Sequence, residues 1–156
     1  MNQVLFICTG NYYRSRYAEI IFNRIASEYQ LGWRSFSRGF QDSTREAPIS
    51  PNAMNRLNDK NIYPSQIRYP IKMQPSDLAL AHRVILMDQS EHRPMMEDEY
   101  YQWADYVEYW DIQDVEFESP VTALDRLDRK IDLLIGDLEM TSNQLTWGNN
   151  HLSAIS

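Results

Sequence analysis

Cys8 and Arg14 are the two residues of this chain best suited to do chemistry together. They open and close the loop Cys8-Thr9-Gly10-Asn11-Tyr12-Tyr13-Arg14, and Ser15 follows at once. A thiolate is a nucleophile, and an arginine fork can grip two oxygens of a phosphate. Where a strand runs through a short loop into a helix, backbone amides converge and the helix N-terminus adds partial positive charge. One loop then provides an oxyanion site and a field that favours the sulfur anion. Cys-x5-Arg alone is a weak signal, because a single cysteine ending a core strand is often just a small buried apolar residue. Its surroundings strengthen it. A continuous apolar run, Val4-Leu5-Phe6-Ile7, comes directly before. Gly10 and Asn11 are residue types that tolerate left-handed backbone. Arg14-Ser15 opens an amphipathic stretch.

Those residues need a scaffold, and the hydrophobic pattern predicts one. Residues 3–7 read as a strand buried on both faces, since the apolar run does not alternate. From Arg14 the period changes: Ala18, Ile21, Phe22, Ile25, Ala26 and Tyr29 fall at helical spacing, with Gly32 just past the end. Further strands are expected at 33–37, 83–87 and 106–110. Helices are expected at 51–61, after a Ser76 cap, after an Asp88-Gln89-Ser90 loop, and from Ser119-Pro120 onward. Alternating strands and helices imply an α/β fold: three layers, a four-stranded parallel sheet in flavodoxin-like order, and helices on both faces. Ligands in such sheets bind at the carboxyl ends of the strands, where Cys8, Asp88, Asp111 and Asp114 all lie.

Length and composition narrow the function. A chain of 156 residues suits one domain, read as 1–140 with a polar tail at 141–156 that Trp147 would anchor. A net charge of −7 argues against binding nucleic-acid backbones, which depends on Lys/Arg neutralisation. No apolar run is long enough to span a membrane, and Met1-Asn2-Gln3 does not open like a signal peptide. One cysteine cannot form an internal disulfide, so a reducing cytoplasm is the expected setting. His82, His92 and His151 are scattered without ligand spacing, so no metal site is expected, and the thiolate chemistry outlined above calls for no organic cofactor.

The segment Cys8-Thr9-Gly10-Asn11-Tyr12-Tyr13-Arg14-Ser15 resembles the phosphate-binding loop of the low-molecular-weight protein tyrosine phosphatases and their arsenate reductase relatives. The resemblance extends to about Glu139. Ser37-Arg38-Gly39 is similar to the element ending the family's second strand, Val84–Asp88 to its third strand, and Trp110-Asp111-Ile112-Gln113-Asp114 to the segment bearing its acid. The resemblance implies hydrolysis of phosphotyrosine or a similar aryl phosphate, with a phosphorylated protein or small aryl phosphate as partner. It also implies Asp114 as the acid, with Asp111 second in line. Two departures stand out. Asp114-Val115 replaces the family's Asp-Pro, which is expected to loosen the acid loop. Tyr13 stands where many relatives carry a second, protective cysteine. The family's aromatic specificity position falls on Ser43, with Phe40 the nearest aromatic.

In this reading Cys8 attacks phosphorus to give a cysteinyl-phosphate that water then hydrolyses. Arg14 and the amides from Thr9 to Arg14 hold the equatorial oxygens. Ser15 donates to the departing thiolate, Asn11 holds the loop's shape, and Tyr12 lines the mouth. Either tyrosine could instead pack against the first helix. Two rival functions share the loop: arsenate reduction resolved by an external thiol, and a phosphate-binding module impaired in turnover.

Overall fold

A computed structural model describes residues 1–43 and 45–155, with side chains as far as residue 141. The elements alternate as expected: β1 (Asn2–Cys8), α1 (Arg14–Glu28), β2 (Trp33–Gly39), α2 (Pro51–Asp59), α3 (Pro75–Leu80), β3 (Arg83–Leu86), α4 (Gln89–Glu99), β4 (Glu108–Tyr109) and α5 (Pro120–Ile155). The four strands form one parallel sheet in the order β2-β1-β3-β4.

Successive side chains of a strand point to opposite faces, so a strand buried on both faces must be apolar throughout. β1 shows this directly. Val4, Phe6 and Cys8 join Tyr17, Phe22, Leu127 and Ile131 on the side covered by α1, α2 and α5. Leu5 and Ile7 join Leu78, Leu86 and Met96 on the side of α3 and α4. Phe6 also meets Trp110, their ring centroids 5.8 Å apart, which ties the chain after β4 to the central strand.

The differences from the pattern have local causes. β4 is only two residues long, because the ladder to β3 holds just Glu108 and Tyr109. Asp88 is not a loop residue but the cap of α4, its carboxylate accepting from the Glu91 amide at 3.2 Å. Gln74, rather than Ser76, precedes α3, where its amide donates to Asp77 at 2.8 Å. Past α1 the left-handed residue is Gln30 (φ 50°), not Gly32. The long helix does not end near Met140. α5 continues through the polar segment to Ile155. The expected anchoring by Trp147 lies outside the described side chains.

Candidate active site

The register brings the loop to the sheet's carboxyl edge. Cys8, the last residue of β1, pairs with Gly39, the last of β2. Three loop carbonyls are tied into the surrounding protein: Phe40 N donates to Cys8 O at 3.2 Å, Gln41 N to Thr9 O at 3.1 Å and Ser50 N to Tyr12 O at 2.9 Å. The amides of Gly10 to Tyr13 donate to no carbonyl among the described residues. Amides in one turn that have no protein acceptor are suited to hold an anion.

Asn11 fixes the turn. It is fully buried with φ 50°, the left-handed region that asparagine tolerates better than most residues. Gly10 needs no such conformation. Asn11 Nδ2 donates to Ser15 Oγ at 2.8 Å and Ser37 Oγ at 2.9 Å. Its Oδ1 accepts from Arg68 Nη1 and the Ile71 amide, both at 3.0 Å. The side-chain amide is therefore satisfied on all sides. Arg68, which no sequence motif marks, also reaches Glu19 and Ser37 and so braces the turn from below.

Gly39 is needed for a different reason. A Cβ there would lie 2.9 Å from both the Asn11 amide nitrogen and the Thr9 carbonyl oxygen, both of them loop backbone. Gly39→Ala is expected to displace the loop, costing about 1–3 kcal/mol of stability. Its kcat is expected to fall roughly 10²-fold, because misplacing reactive groups by a fraction of a bond length is costly. Thermal melts and steady-state kinetics check both.

Cys8 is 2 % exposed and closes the core on the α1 side. Its Sγ meets Ser15 Oγ at 2.9 Å in the first turn of α1. Because the Ser15 oxygen can accept from Asn11, its proton is free for the sulfur. Arg14 is also 2 % exposed. It reaches across to the chain after β4, where Nη1 donates to Ile112 O at 2.9 Å. Ile112 is fully buried and its amide donates to Met87 O at 2.7 Å, so this carbonyl is anchored to the end of β3.

Asp114, two residues on, puts Oδ2 3.6 Å from Arg14 Nη2. Its Oδ1 accepts from the Val115 amide at 2.8 Å, a bond that proline could not make. The substitution that was expected to loosen this turn thus gives Asp114 a local tether. Asp111 faces elsewhere: it pairs with Lys130 at 3.5 Å and is 67 % exposed. Tyr13 is buried in the core against α1, and burial raises its pKa to about 12. Tyr12 is half-buried, with the Arg45 guanidinium 4.2 Å over its ring. Phe40 is no pocket wall, because it is buried and stacked on His92.

Nothing in the sequence marks Glu91 as part of this site. Its carboxylate accepts from Arg14 at 3.0 and 2.8 Å, from the Thr9 hydroxyl, and lies 3.0 Å from His92 Nε2. Burial acts to raise the pKa of this carboxyl, but the hydrogen bonds from His92, Arg14 and Thr9 outweigh it and hold the group below the usual carboxylate range. Its contribution to stability is therefore complete above the ordinary glutamate pKa and is lost only as pH falls through the lowered folded value. On Arg14, burial works against the charge, but Glu91 and the nearby Cys8 and Asp114 prevail and its pKa is raised.

A cleft of about 510 Å³ opens above Thr9, walled by Met95 and Phe117 and edged by Glu91, Asp114 and Glu116. A second cleft of about 520 Å³, beside Arg93, Tyr109 and Lys130, contains no part of the loop. Among the described residues, no group of three or more His, Cys, Asp or Glu side chains is arranged to hold a metal.

The family model for low molecular weight phosphotyrosine protein phosphatases matches residues 3–145. The chain belongs to that family. Membership makes it a phosphatase. A low molecular weight protein tyrosine phosphatase from T. tengcongensis is similar in structure, with TM-score 0.75 and 28 % identity over 88 % of this chain and 99 % of that one. YfkJ from Bacillus subtilis shares the fold at TM-score 0.79 and 18 % identity, covering 90 % and 96 %. So does the YwlE arginine phosphatase from Geobacillus stearothermophilus, at TM-score 0.75 and 23 % identity, covering 92 % and 97 %. No curated protein matches the chain at a comparable level of significance.

Proposed function

We propose that this phosphatase hydrolyses aryl phosphate monoesters, phosphotyrosine in proteins among them, through a cysteinyl-phosphate intermediate. The observation that supports this best is the set of unpartnered amides from Gly10 to Tyr13, lying between Cys8 and the buried Arg14. Phosphate oxygens bound to those amides and to Arg14 would sit over the sulfur. Attack forms an S–P bond as the P–O bond to the leaving group breaks. Asp114 gives that oxygen a proton, then takes one from the water that attacks phosphorus and releases Cys8 as thiolate. Ser15, 2.9 Å from the sulfur, stabilises the departing anion. Met95 and Phe117 offer an apolar wall to an aromatic ring. A reducing cytoplasm suits a nucleophile that must stay a thiol.

Asp114→Asn is the decisive variant for the proton transfer. Its kcat on phenyl phosphate, whose leaving group needs a proton, is expected to fall about 10²–10⁴-fold. The loss on p-nitrophenyl phosphate is expected to be much smaller. Equal losses on the two esters would remove Asp114 from the role of acid.

The carboxylates at the cleft favour a second substrate class. Asp114 and Glu116 make its edge acidic, which suits a leaving group that departs as a cation, such as the guanidinium released from phosphoarginine. Parallel assays of phosphotyrosine and phosphoarginine peptides distinguish the two. Faster turnover of phosphoarginine would reassign the substrate class while leaving Cys8 and Arg14 in their roles.

A further inference from the structure

A guanidinium has two edges that can each take a pair of oxygens, and here they are used differently. The Nη1–Nη2 edge of Arg14 is held by Glu91, Oε1 at 3.0 Å and Oε2 at 2.8 Å. The second Nη1 proton goes to Ile112 O at 2.9 Å. On the other edge, among the described residues, Nε has no hydrogen-bond acceptor, and Asp114 Oδ2 lies 3.6 Å from Nη2.

Glu91 is itself held firmly. It stands in the first turn of α4, where Asp88 Oδ2 accepts from its amide at 3.2 Å. Its Oε2 also takes the Thr9 hydroxyl and lies 3.0 Å from His92 Nε2. His92 is fully buried, and its Nδ1 accepts the Asp88 amide proton at 3.0 Å, so the neutral ring carries its proton on Nε2. That proton points toward Glu91 and Thr9. The chain of contacts runs from the α4 cap through His92 and Glu91 to Arg14. The partners of Glu91 are side chains, and no loop amide donates to its carboxylate among the described residues. The carboxylate is therefore not standing in for a phosphate in the cradle.

We propose that Glu91 is a positioning residue for phosphoryl transfer: it grips the far edge of Arg14 so that the Nε–Nη2 edge is presented to the phosphate over Cys8. For its kinetic effect this rests on the phosphatase reading. The negative charge of Glu91 also repels a dianion bound at Arg14, so its removal has two opposed effects on affinity. The loss of a fixed fork is the larger, because a bidentate grip depends on orientation and a mobile arginine must be ordered again at each binding event.

The test compares wild type with Glu91→Ala and Glu91→Gln, measuring kcat and KM on p-nitrophenyl phosphate and the affinity for orthovanadate. The alanine variant is expected to lose about 10–100-fold in kcat and about tenfold or more in vanadate affinity, with KM changed far less than kcat. The glutamine variant keeps one acceptor and falls between. Added acetate is expected to restore part of the alanine variant's kcat and none of the glutamine variant's. Should the alanine variant fail to fold in thermal melts, the glutamine variant decides on the same measurements. Vanadate affinity that is unchanged or tighter overturns the proposal, whatever happens to kcat. If wild type turns over no phosphate compound, the phosphatase reading fails separately, and the vanadate affinities still decide whether Glu91 positions Arg14.

Discussion

With Cys8 replaced by serine, turnover of aryl phosphates falls by on the order of 10⁴-fold or more, while inorganic phosphate still binds. A hydroxyl needs an adjacent base to attack phosphorus, whereas a thiolate does not. No base is hydrogen-bonded at this position: the one side chain that bonds Cys8 among the described residues is Ser15. His92, the nearest imidazole in the loop's surroundings, is committed to the Asp88 amide, Thr9 and Glu91. The amides and Arg14 are untouched by this change, so calorimetric titration with phosphate is expected to give an affinity close to that of wild type. Loss of phosphate binding together with turnover would mean that the serine had disturbed the loop.

Arg14→Lys is the second large effect, roughly 10²–10³ in kcat. Lysine keeps the charge but cannot bridge two phosphate oxygens with one rigid plane. It also cannot satisfy Glu91 through both oxygens while reaching the Ile112 carbonyl, so the link between the loop and the chain bearing Asp114 is broken. The expected signature is a fall in kcat larger than the rise in KM, because Arg14 matters most where charge builds on the transferring phosphoryl group. Steady-state kinetics on p-nitrophenyl phosphate measure both quantities.

The residues that were legible in the sequence are those whose role is local. Val4 to Ile7 announce a strand buried on both faces because each must be apolar for that to happen. Cys8, Asn11, Arg14 and Ser15 come together because one turn of backbone joins them, and Asn11 is the residue type that turn demands. Glu91, His92 and Arg68 were not legible. They lie more than 50 positions from the loop residues they bond, and they do so only because β1 pairs with β3 and the chain before α3 runs under the loop. His92 looked idle because its partners are a backbone amide and two side chains, which leave no spacing signature. Gly39 was visible only as part of a motif. Its need to lack a Cβ arises from the distance between two chain segments. The continuation of α5 past Met140 was hidden for the opposite reason, since its residues lose the apolar stripe although the backbone keeps its hydrogen-bonded course.

The most direct test of the central claim is to quench the reaction in acid during steady turnover of p-nitrophenyl phosphate and map the phosphorylated residue by mass spectrometry. A single phosphoryl group is expected on the peptide containing Cys8, attached through sulfur, and none in the Cys8→Ser protein. An unmodified Cys8 during full turnover, with activity retained after its replacement, would contradict that claim.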